Sequence, residues 1–473
     1  MTMNLEEFRE YAHQFTDWMA DYYRNIEKYP VKSQVKPGEI FEKLPDMPPQ
    51  RGESMDKVFD DFNSLILPGI THWQSPNYFA YFTANTSFPS ILAEMLTATM
   101  AAQCMIWETS PAAAELEEKM MNWLKKMIGL PEYFEGVIQD TASTATLVSL
   151  LTAREKYTDF SVNEYGYSGN EKLRIYCSTE THSSIEKAVK IAGLGKNNLM
   201  KVEVDQSLAI NTSELRNAIE KDLQNGLKPF CIVATLGTTG TLAIDPLHKI
   251  AGICNEYKLW LHVDAAFAGT ALVLPENRWM TIGIDQADSF VFNPHKWMFT
   301  NFDCSAYFVK DKEALIKTFE ILPEYLKTGT RGVVNDYRDW GIQLGRRFRA
   351  LKLWFVIRNY GVEGISKKVD EHIEMAKELA GKIKSASNFA LFEPQHLNLV
   401  CFRYQPEYVH AHEEINDLNQ KLLQNLNDTG KIFLTHTKVN GLITLRMVIA
   451  QTYLENRYVD KAWELIQKTA KTL

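Results

Sequence analysis

Four short runs constrain the fold most: LRIYCS (173–178), FCIVAT (230–235), LWLHVD (259–264) and SFVFN (289–293). Each is rich in β-branched, aromatic or other apolar residues, and none alternates cleanly between polar and apolar. Strands of that kind are buried on both faces, as in a largely parallel sheet. Helical stretches lie between them, over 184–192 and 246–256. The second has Asp245 as its expected N-cap and Pro246 in its first turn. Alternation of this kind makes the central chain, from about residue 85 to 360, an α/β domain.

The flanks follow other rules. Leu5, Phe8, Ala12, Phe15, Met19, Tyr22 and Ile26 recur at spacings of three and four, predicting an amphipathic helix over 5–26. A Pro-rich polar connection follows, then a helix over roughly 54–66 that ends at Pro68-Gly69. Residues 1–84 are too few to bury so apolar a stripe by themselves, so they need another surface to pack on. Beyond 360 the order is a helix (362–384), a strand (397–404), a helix (412–427), a hairpin around Asn440-Gly441 and a last helix (456–471). That predicts a small α+β domain over 361–473.

Bulk properties exclude several partners. A formal net charge of -8 argues against nucleic acid or an anionic membrane. No apolar run reaches membrane-spanning length. The first residues carry acids and lack a signal-like apolar core. Six cysteines, scattered without CxxC pairs or zinc spacing, suit a reducing cytoplasm and no metal centre.

One lysine is out of character. Lys296 lies between His295 and Trp297, just past the SFVFN strand, where sites form in α/β proteins. An arbitrary lysine snorkels or pairs with a carboxylate. One withdrawn from water has a lowered pKa and can attack a carbonyl. Asp264 also ends a buried strand, where a carboxylate is costly unless paired. A backbone cap or an arginine would satisfy it, and so would a protonated ring nitrogen. Pyridoxal phosphate needs both groups, a lysine for the Schiff base and an acid for the pyridine. Thr141, Ala142, Ser143 and Thr144 open a helix whose N–H groups suit a phosphate, with Asp140 required to point away. His182 follows the LRIYCS strand. By itself it reads as a helix-start hydrogen bonder more readily than as a stacking group.

The chain resembles the pyridoxal-phosphate aromatic L-amino-acid decarboxylases, the group II family. The stretches that carry the resemblance are LPGITHWQSPNYFAYF, SPAAAELEEKMMNWL, VIQDTASTAT, THSSIE, ATLGTT, WLHVDAAFAG, FNPHKW, NFDCSA and LGRRFRALKLWFVIRNYG. They fall in family order over nearly the whole chain. The resemblance implies a fold type I large domain with a mostly parallel sheet, a small C-terminal domain, and an N-terminal helical segment that clasps the second copy of a homodimer. It implies a carboxy-lyase acting on aromatic amino acids. Lys296 would carry the cofactor, Asp264 would meet the pyridine nitrogen, and His182 would stack on the ring with His295 beside the lysine. Ala142, Ser143 and Asn293 would hold the phosphate, and Thr239 would line the cofactor. Two positions depart from the family: Ala84 stands where relatives have a phosphate-side threonine, and Thr144 where many have glutamate.

The segment PEYLKTGTRGVVNDYRDWG (323–341) is polar and glycine-punctuated, as suits a mobile lid. The resemblance makes its Tyr337 the acid that returns a proton to Cα. Aldehyde synthases of the family carry phenylalanine at the position so assigned, so tyrosine favours amine formation. Trp73, Tyr81, Phe82 and Met105 are candidates for the substrate wall, with Gln103 reaching in from a second copy. An acidic-amino-acid decarboxylase would want a cationic group there. Gly345 leaves room for an indole where phenol- and imidazole-selective relatives often carry serine. The preferred substrate is therefore expected to be tryptophan or 5-hydroxytryptophan, with tyrosine and dihydroxyphenylalanine as the alternative.

Overall fold

The structure, a computed structural model, describes residues 3–168, 172–321 and 333–473. The chain divides into two compact units. One comprises Ala84–Lys377 with Phe392–Val400, the other Met1–Thr83, Glu378–Leu391 and Cys401–Leu473. Where the sequence suggested three parts, the N-terminal segment shares a unit with the C-terminal residues.

The larger unit is built on seven strands: β1 (Glu135–Gln139), β2 (Leu173–Ser178), β3 (Leu199–Val202), β4 (Lys228–Thr235), β5 (Trp260–Asp264), β6 (Ser289–Phe292) and β7 (Ser305–Val309). Their order across the sheet is β1-β7-β6-β5-β4-β2-β3. Strands β2 to β6 pair in parallel and β7 runs antiparallel to both its neighbours. Every residue of β2, β5, β6 and β7 is buried, which accounts for their largely apolar character without polar alternation. The helix Ala142–Tyr157 is buried around most of its circumference and packs on the sheet. Its polar residues are matched to the strands. Trp260 donates to Ser149 Oγ at 3.0 Å, Ser149 and Ser289 hydroxyls meet at 2.7 Å, and Ser289 meets His262 Nδ1 at 2.8 Å. Burial pushes the His262 pKa down to about 4, so the ring stays neutral inside this network.

One helix start is displaced from its expected place. The helix is Leu247–Tyr257 with Pro246 as its N-cap. The buried Asp245 carboxylate instead accepts from the N–H groups of Ile210 and Thr235, both at 2.8 Å, and so ties the end of β4 to the loop before the helix Thr212–Gln224. Side-chain burial decided between the two uses of the same residue.

In the smaller unit the first helix, Leu5–Arg24, starts on a capping box: Glu7 N–H donates to Asn4 Oδ1 and Asn4 N–H to Glu7 Oε2. Phe15 and Trp18 pack on Phe59 and Phe62 of the second helical stretch, which begins at Met55–Asp61. Leu5 and Phe8 stay exposed. A four-stranded antiparallel sheet is formed by β8 (Phe389–Leu391), β9 (Leu399–Tyr404), β10 (Thr435–Val439) and β11 (Leu442–Val448), in the order β10-β11-β9-β8. Asn440 and Gly441 turn β10 into β11 with φ of +52° and +78°, as a two-residue hairpin of this type requires. Among the described residues no helix is long and apolar enough to cross a membrane.

Candidate active site

Lys296 follows β6 in a single helical turn, Pro294–Trp297. The turn is fixed on all sides. The Lys296 N–H donates to Asn293 O at 2.9 Å, and the His295 N–H to Cys304 O at 3.2 Å. Cys304 N–H donates back to His295 Nδ1 at 2.9 Å, which puts the imidazole proton on Nε2. The fully buried Trp297 stacks on Phe267 with ring centroids 5.1 Å apart, and its Nε1 donates to His372 Nδ1. Burial lowers the Lys296 pKa, and Asp264 opposes the shift. His295 is pushed down to about 3 by burial, with Lys296 adding to the effect, so it is neutral.

Asp264 closes β5 beside Val291 of β6, and 5% of it is exposed. Its Oδ1 accepts from Ala266 N–H at 3.0 Å. The small residues after it are needed. A Cβ on Gly269 would lie 2.4 Å from Phe292 Cβ, so only glycine lets this loop close over the strand that leads to Lys296. His182 lies past β2 and is exposed. Its Nδ1 accepts from Ser184 N–H at 3.2 Å and faces the Ser184 hydroxyl at 2.8 Å, leaving Nε2 to carry the proton. Desolvation lowers its pKa, Asp264 raises it, and Lys296 lowers it. The structure thus brings Lys296, Asp264 and His182 within electrostatic reach of one another at the C-terminal edge of the parallel strands.

The helix Ala142–Tyr157 begins at the same edge. Thr141 caps it by accepting from Thr144 N–H. Its first-turn N–H groups, including those of Ala142 and Ser143, have no partner within the helix ladder. Asp140 is held by its own contacts: one carboxylate oxygen accepts from Thr141 and the other from Gln343 Nε2 at 2.7 Å. Asn293 is buried and its Oδ1 accepts from Ser305 at 2.6 Å, which turns the amide's donor end toward the other side. Thr239 sits exposed in the turn after β4, while its neighbour Thr238 is buried and receives Ala243 N–H at 3.1 Å. An amine made less basic by burial, a buried carboxylate acting on it, an imidazole with an open face, and a helix start are the donor set that pyridoxal phosphate requires. The residues present fit it.

Two expected residues have surroundings that the sequence did not show. Of the expected lid segment, residues 322–332 lie outside the described residues, and Tyr337 lies in the part that is described. It is 3% exposed, belongs to the buried cluster that includes Val137 and Val309, and its ring lies 5.2 Å from that of Trp340. The Arg346 guanidinium lies 5.0 Å from its ring centroid, and its hydroxyl has no hydrogen-bond partner among the described residues. Its pKa is far above the usual tyrosine value, through burial first and then Glu117 and Glu118. None of the charges that act on it most is Lys296, Asp264 or His182. Gly345, expected at a pocket floor, is exposed on this chain. It sits with Gln103, also exposed, whose Oε1 accepts from Arg346 N–H at 2.6 Å. A Cβ on Gly345 would be 3.3 Å from Gln103 Nε2. Met105 is half-buried, and its carbonyl accepts from Arg338 N–H at 2.9 Å. In the smaller unit, Trp73 stacks on both Tyr78 and Tyr81, and Phe82 follows directly.

Sequence reasoning missed Asn85. It is buried, its side-chain Nδ2 donates to Lys296 O at 2.7 Å, and its backbone N–H donates to His295 O at 3.0 Å. A polar residue in the run YFTANTSF, directly after the aromatic stretch, was the available signal.

Residues 37–405 match the model for the pyridoxal-dependent decarboxylase conserved domain. Phenylacetaldehyde synthase of Arabidopsis thaliana is 43% identical, over 100% of this chain and 97% of its own length. Tryptophan decarboxylase 2 of Oryza sativa is 43% identical over 99% and 95%. Tyrosine decarboxylase 4 of Petroselinum crispum is 42% identical over 100% and 95%. The crystal structure of Oryza sativa TDC with PLP and tryptamine superposes with a TM-score of 0.97 at 34% identity, covering 100% of this chain and 99% of that one.

Proposed function

We propose, from the premise that this chain belongs to the pyridoxal-dependent decarboxylases, that it converts aromatic L-amino acids to arylalkylamines and carbon dioxide and prefers the indolic ones. The observation that carries the reaction is the placing of Lys296, Asp264 and His182 after β6, at the end of β5 and after β2 on one sheet edge, where Asp264 acts on both of the others. Bound pyridoxal phosphate supplies the sink for the electron pair left on Cα when carbon dioxide departs. Lys296 Nζ, less basic than a free lysine, is the amine that holds the cofactor. Asp264 keeps a proton on the ring nitrogen. His182, oriented through Ser184, covers the ring. The N–H groups of Ala142 and Ser143 and the donor end of Asn293 hold the phosphate, with Thr239 beside them.

Cα must then receive a proton. Tyr337 is packed in the core with a strongly raised pKa, which makes it a poor donor. The 323–341 segment contains one other tyrosine, Tyr325, and the two are to be tested side by side.

The lean to tryptophan and 5-hydroxytryptophan rests on the missing side chain at Gly345. Its exposure, and that of Gln103, supports a homodimer in which this edge meets the site of a second copy. Phe88, Leu92, Leu96 and Met100 are large apolar residues exposed along one helix of the same unit, which supports it further. Sedimentation as a monomer at micromolar concentration would count against the dimer. All six cysteines are buried free thiols, in keeping with a reducing compartment such as the cytoplasm; fractionation of cells tests that placement. A second reading, aldehyde formation, is favoured by the similarity to the Arabidopsis synthase. One panel decides among these: tryptophan, 5-hydroxytryptophan, tyrosine and dihydroxyphenylalanine, with amine, aldehyde and peroxide measured together. Amine from the indoles with the higher kcat/KM is expected. Higher values for the phenols would overturn the preference, and aldehyde with stoichiometric peroxide would overturn the decarboxylase reading.

A further inference from the structure

A line of hydrogen bonds crosses the core of the larger unit and takes side chains from the three elements that end at the site. Trp260 and His262 come from β5, Ser289 from β6, and Thr146 and Ser149 from the helix Ala142–Tyr157. Trp260 Nε1 donates to Ser149 Oγ, which meets the Ser289 hydroxyl. Ser289 meets His262 Nδ1, and His262 Nε2 stands 3.3 Å from Thr146 Oγ1. Thr146, Ser149, His262 and Ser289 are all fully buried. Burial keeps the imidazole neutral, so it accepts at one nitrogen while it donates from the other.

The strands keep their register without this line. β5 and β6 are joined by their own ladder, with His262 opposite Ser289 and Asp264 opposite Val291. The helix is different. Its backbone hydrogen bonds close within itself, and its Ala145, Val148 and Leu150 belong to one buried apolar cluster with Val233, Val291 and Tyr307. Apolar contact is non-directional and leaves a helix able to slide. Hydrogen bonds fix distance and angle, and a buried network rigidifies what it joins. Thr146 lies one helical turn, about 5 Å, beyond the N–H groups of Ala142 and Ser143. His262 is two residues before Asp264. A slip of the helix at this line therefore becomes a slip of the phosphate cradle against the ring acid.

We propose that His262 is a positioning residue for cofactor binding: with Ser289 and Thr146 it sets the distance from the phosphate-holding helix start to Asp264 and Lys296, and so matches the site to the length of pyridoxal phosphate. The inference rests on the reading that Ala142, Ser143, Asp264 and Lys296 hold that cofactor. A rigid ligand held at two ends gains from both only while the two sites stand at its own spacing. Without His262 the ring end still binds, and the phosphate adds less.

The test uses the full-length protein, freed of cofactor and titrated with pyridoxal phosphate and with pyridoxal, which lacks the phosphate. The quantity read is the ratio of the Kd for pyridoxal to the Kd for pyridoxal phosphate, beside the Tm. His262→Phe keeps a ring and removes both nitrogens. It should raise the Kd of pyridoxal phosphate about tenfold and leave that of pyridoxal within about twofold, so the ratio falls about tenfold. Thr146→Val, of the same shape, should lower the ratio too. Thr146→Ser keeps the hydroxyl and should return the ratio to the parent's. This pair carries the test if His262→Phe does not fold. Asp264→Asn and Lys296→Ala are run alongside, and each should weaken both forms. If they do so and the ratio survives His262→Phe, the site is right and the positioning is wrong. If they weaken neither form, the site reading fails and takes the positioning with it. A lower Tm with an unchanged ratio marks a residue that only supports the fold, and it overturns the proposal. So does an equal loss of both forms, or no rescue by serine.

Discussion

Asn85→Ala tests whether Lys296 is placed by the backbone it sits on. The wild-type side chain gives Lys296 O a 2.7 Å hydrogen bond in a buried setting, and the Asn85 main chain separately bonds His295 O. Alanine keeps the second bond and removes the first. Depriving a buried carbonyl of a donor costs about 1–3 kcal/mol. If about 1.4 kcal/mol of that is felt as misplacement of the lysine, the cofactor Kd rises roughly tenfold. The remainder appears as a lower Tm. Asn85→Asp has nearly the same shape but sets a carboxylate oxygen against the carbonyl, so it should be worse than alanine. The assay is titration of the cofactor-free protein with pyridoxal phosphate, followed by the absorbance of the bound cofactor, beside thermal melts of the same samples. Cofactor affinity and kcat both equal to the parent's in Asn85→Ala would refute the argument. So would an aspartate variant that binds as tightly as alanine.

Tyr337→Phe should leave the amine as product with kcat within about threefold, whereas Tyr325→Phe should divert product to aldehyde with oxygen uptake; the reverse pattern in product analysis would restore Tyr337 as the acid. Gly345→Ser must displace Gln103 Nε2, which a Cβ would approach to 3.3 Å, and so disturb the 2.6 Å bond to Arg346 N–H. Overpacking costs about 1–3 kcal/mol, or roughly five- to hundred-fold in kcat/KM. Steady-state kinetics should show tryptophan losing far more than tyrosine, and an unchanged ratio removes Gly345 as the size gate. Burial raises the Asp245 pKa to about 6, above the usual value of about 3.9. The unfolded chain therefore ionises first, and native stability falls as pH rises from about 4 to about 6, then levels after a loss of about 3 kcal/mol. Asp245→Asn does not titrate, so the parent's Tm relative to the variant's should drop across that window, and a pH-independent difference would contradict the assignment.

The sequence was legible where one physical demand dominated. Strands buried on both faces are largely apolar and do not alternate, and β2, β4, β5 and β6 were found for that reason. The Asn440-Gly441 turn was found because only a few residues take two positive φ values in succession. Lys296 and Asp264 stood out because burial there is costly without a partner. Other features depended on side-chain choices that spacing does not encode. Asp245 could cap a helix or receive two strand-side amides, and only packing selects the second. Tyr337 has polar neighbours in sequence, and only packing shows that its ring is buried beside Arg346. Asn85 acts on a backbone more than 200 positions away, which no local pattern reveals. Gly345 and Gln103 meet across a similar separation.

The central claim is that Lys296 holds the cofactor beside Asp264. The most direct measurement is borohydride reduction of the loaded enzyme, followed by proteolysis and mass spectrometry of the pyridoxyl-labelled peptide. The account predicts one label, on Lys296 within FNPHKW, at about one per chain. It also predicts that Lys296→Ala takes up no label while retaining its fold. A pyridoxyl group on any other lysine, or stoichiometric labelling that survives Lys296→Ala, would contradict it.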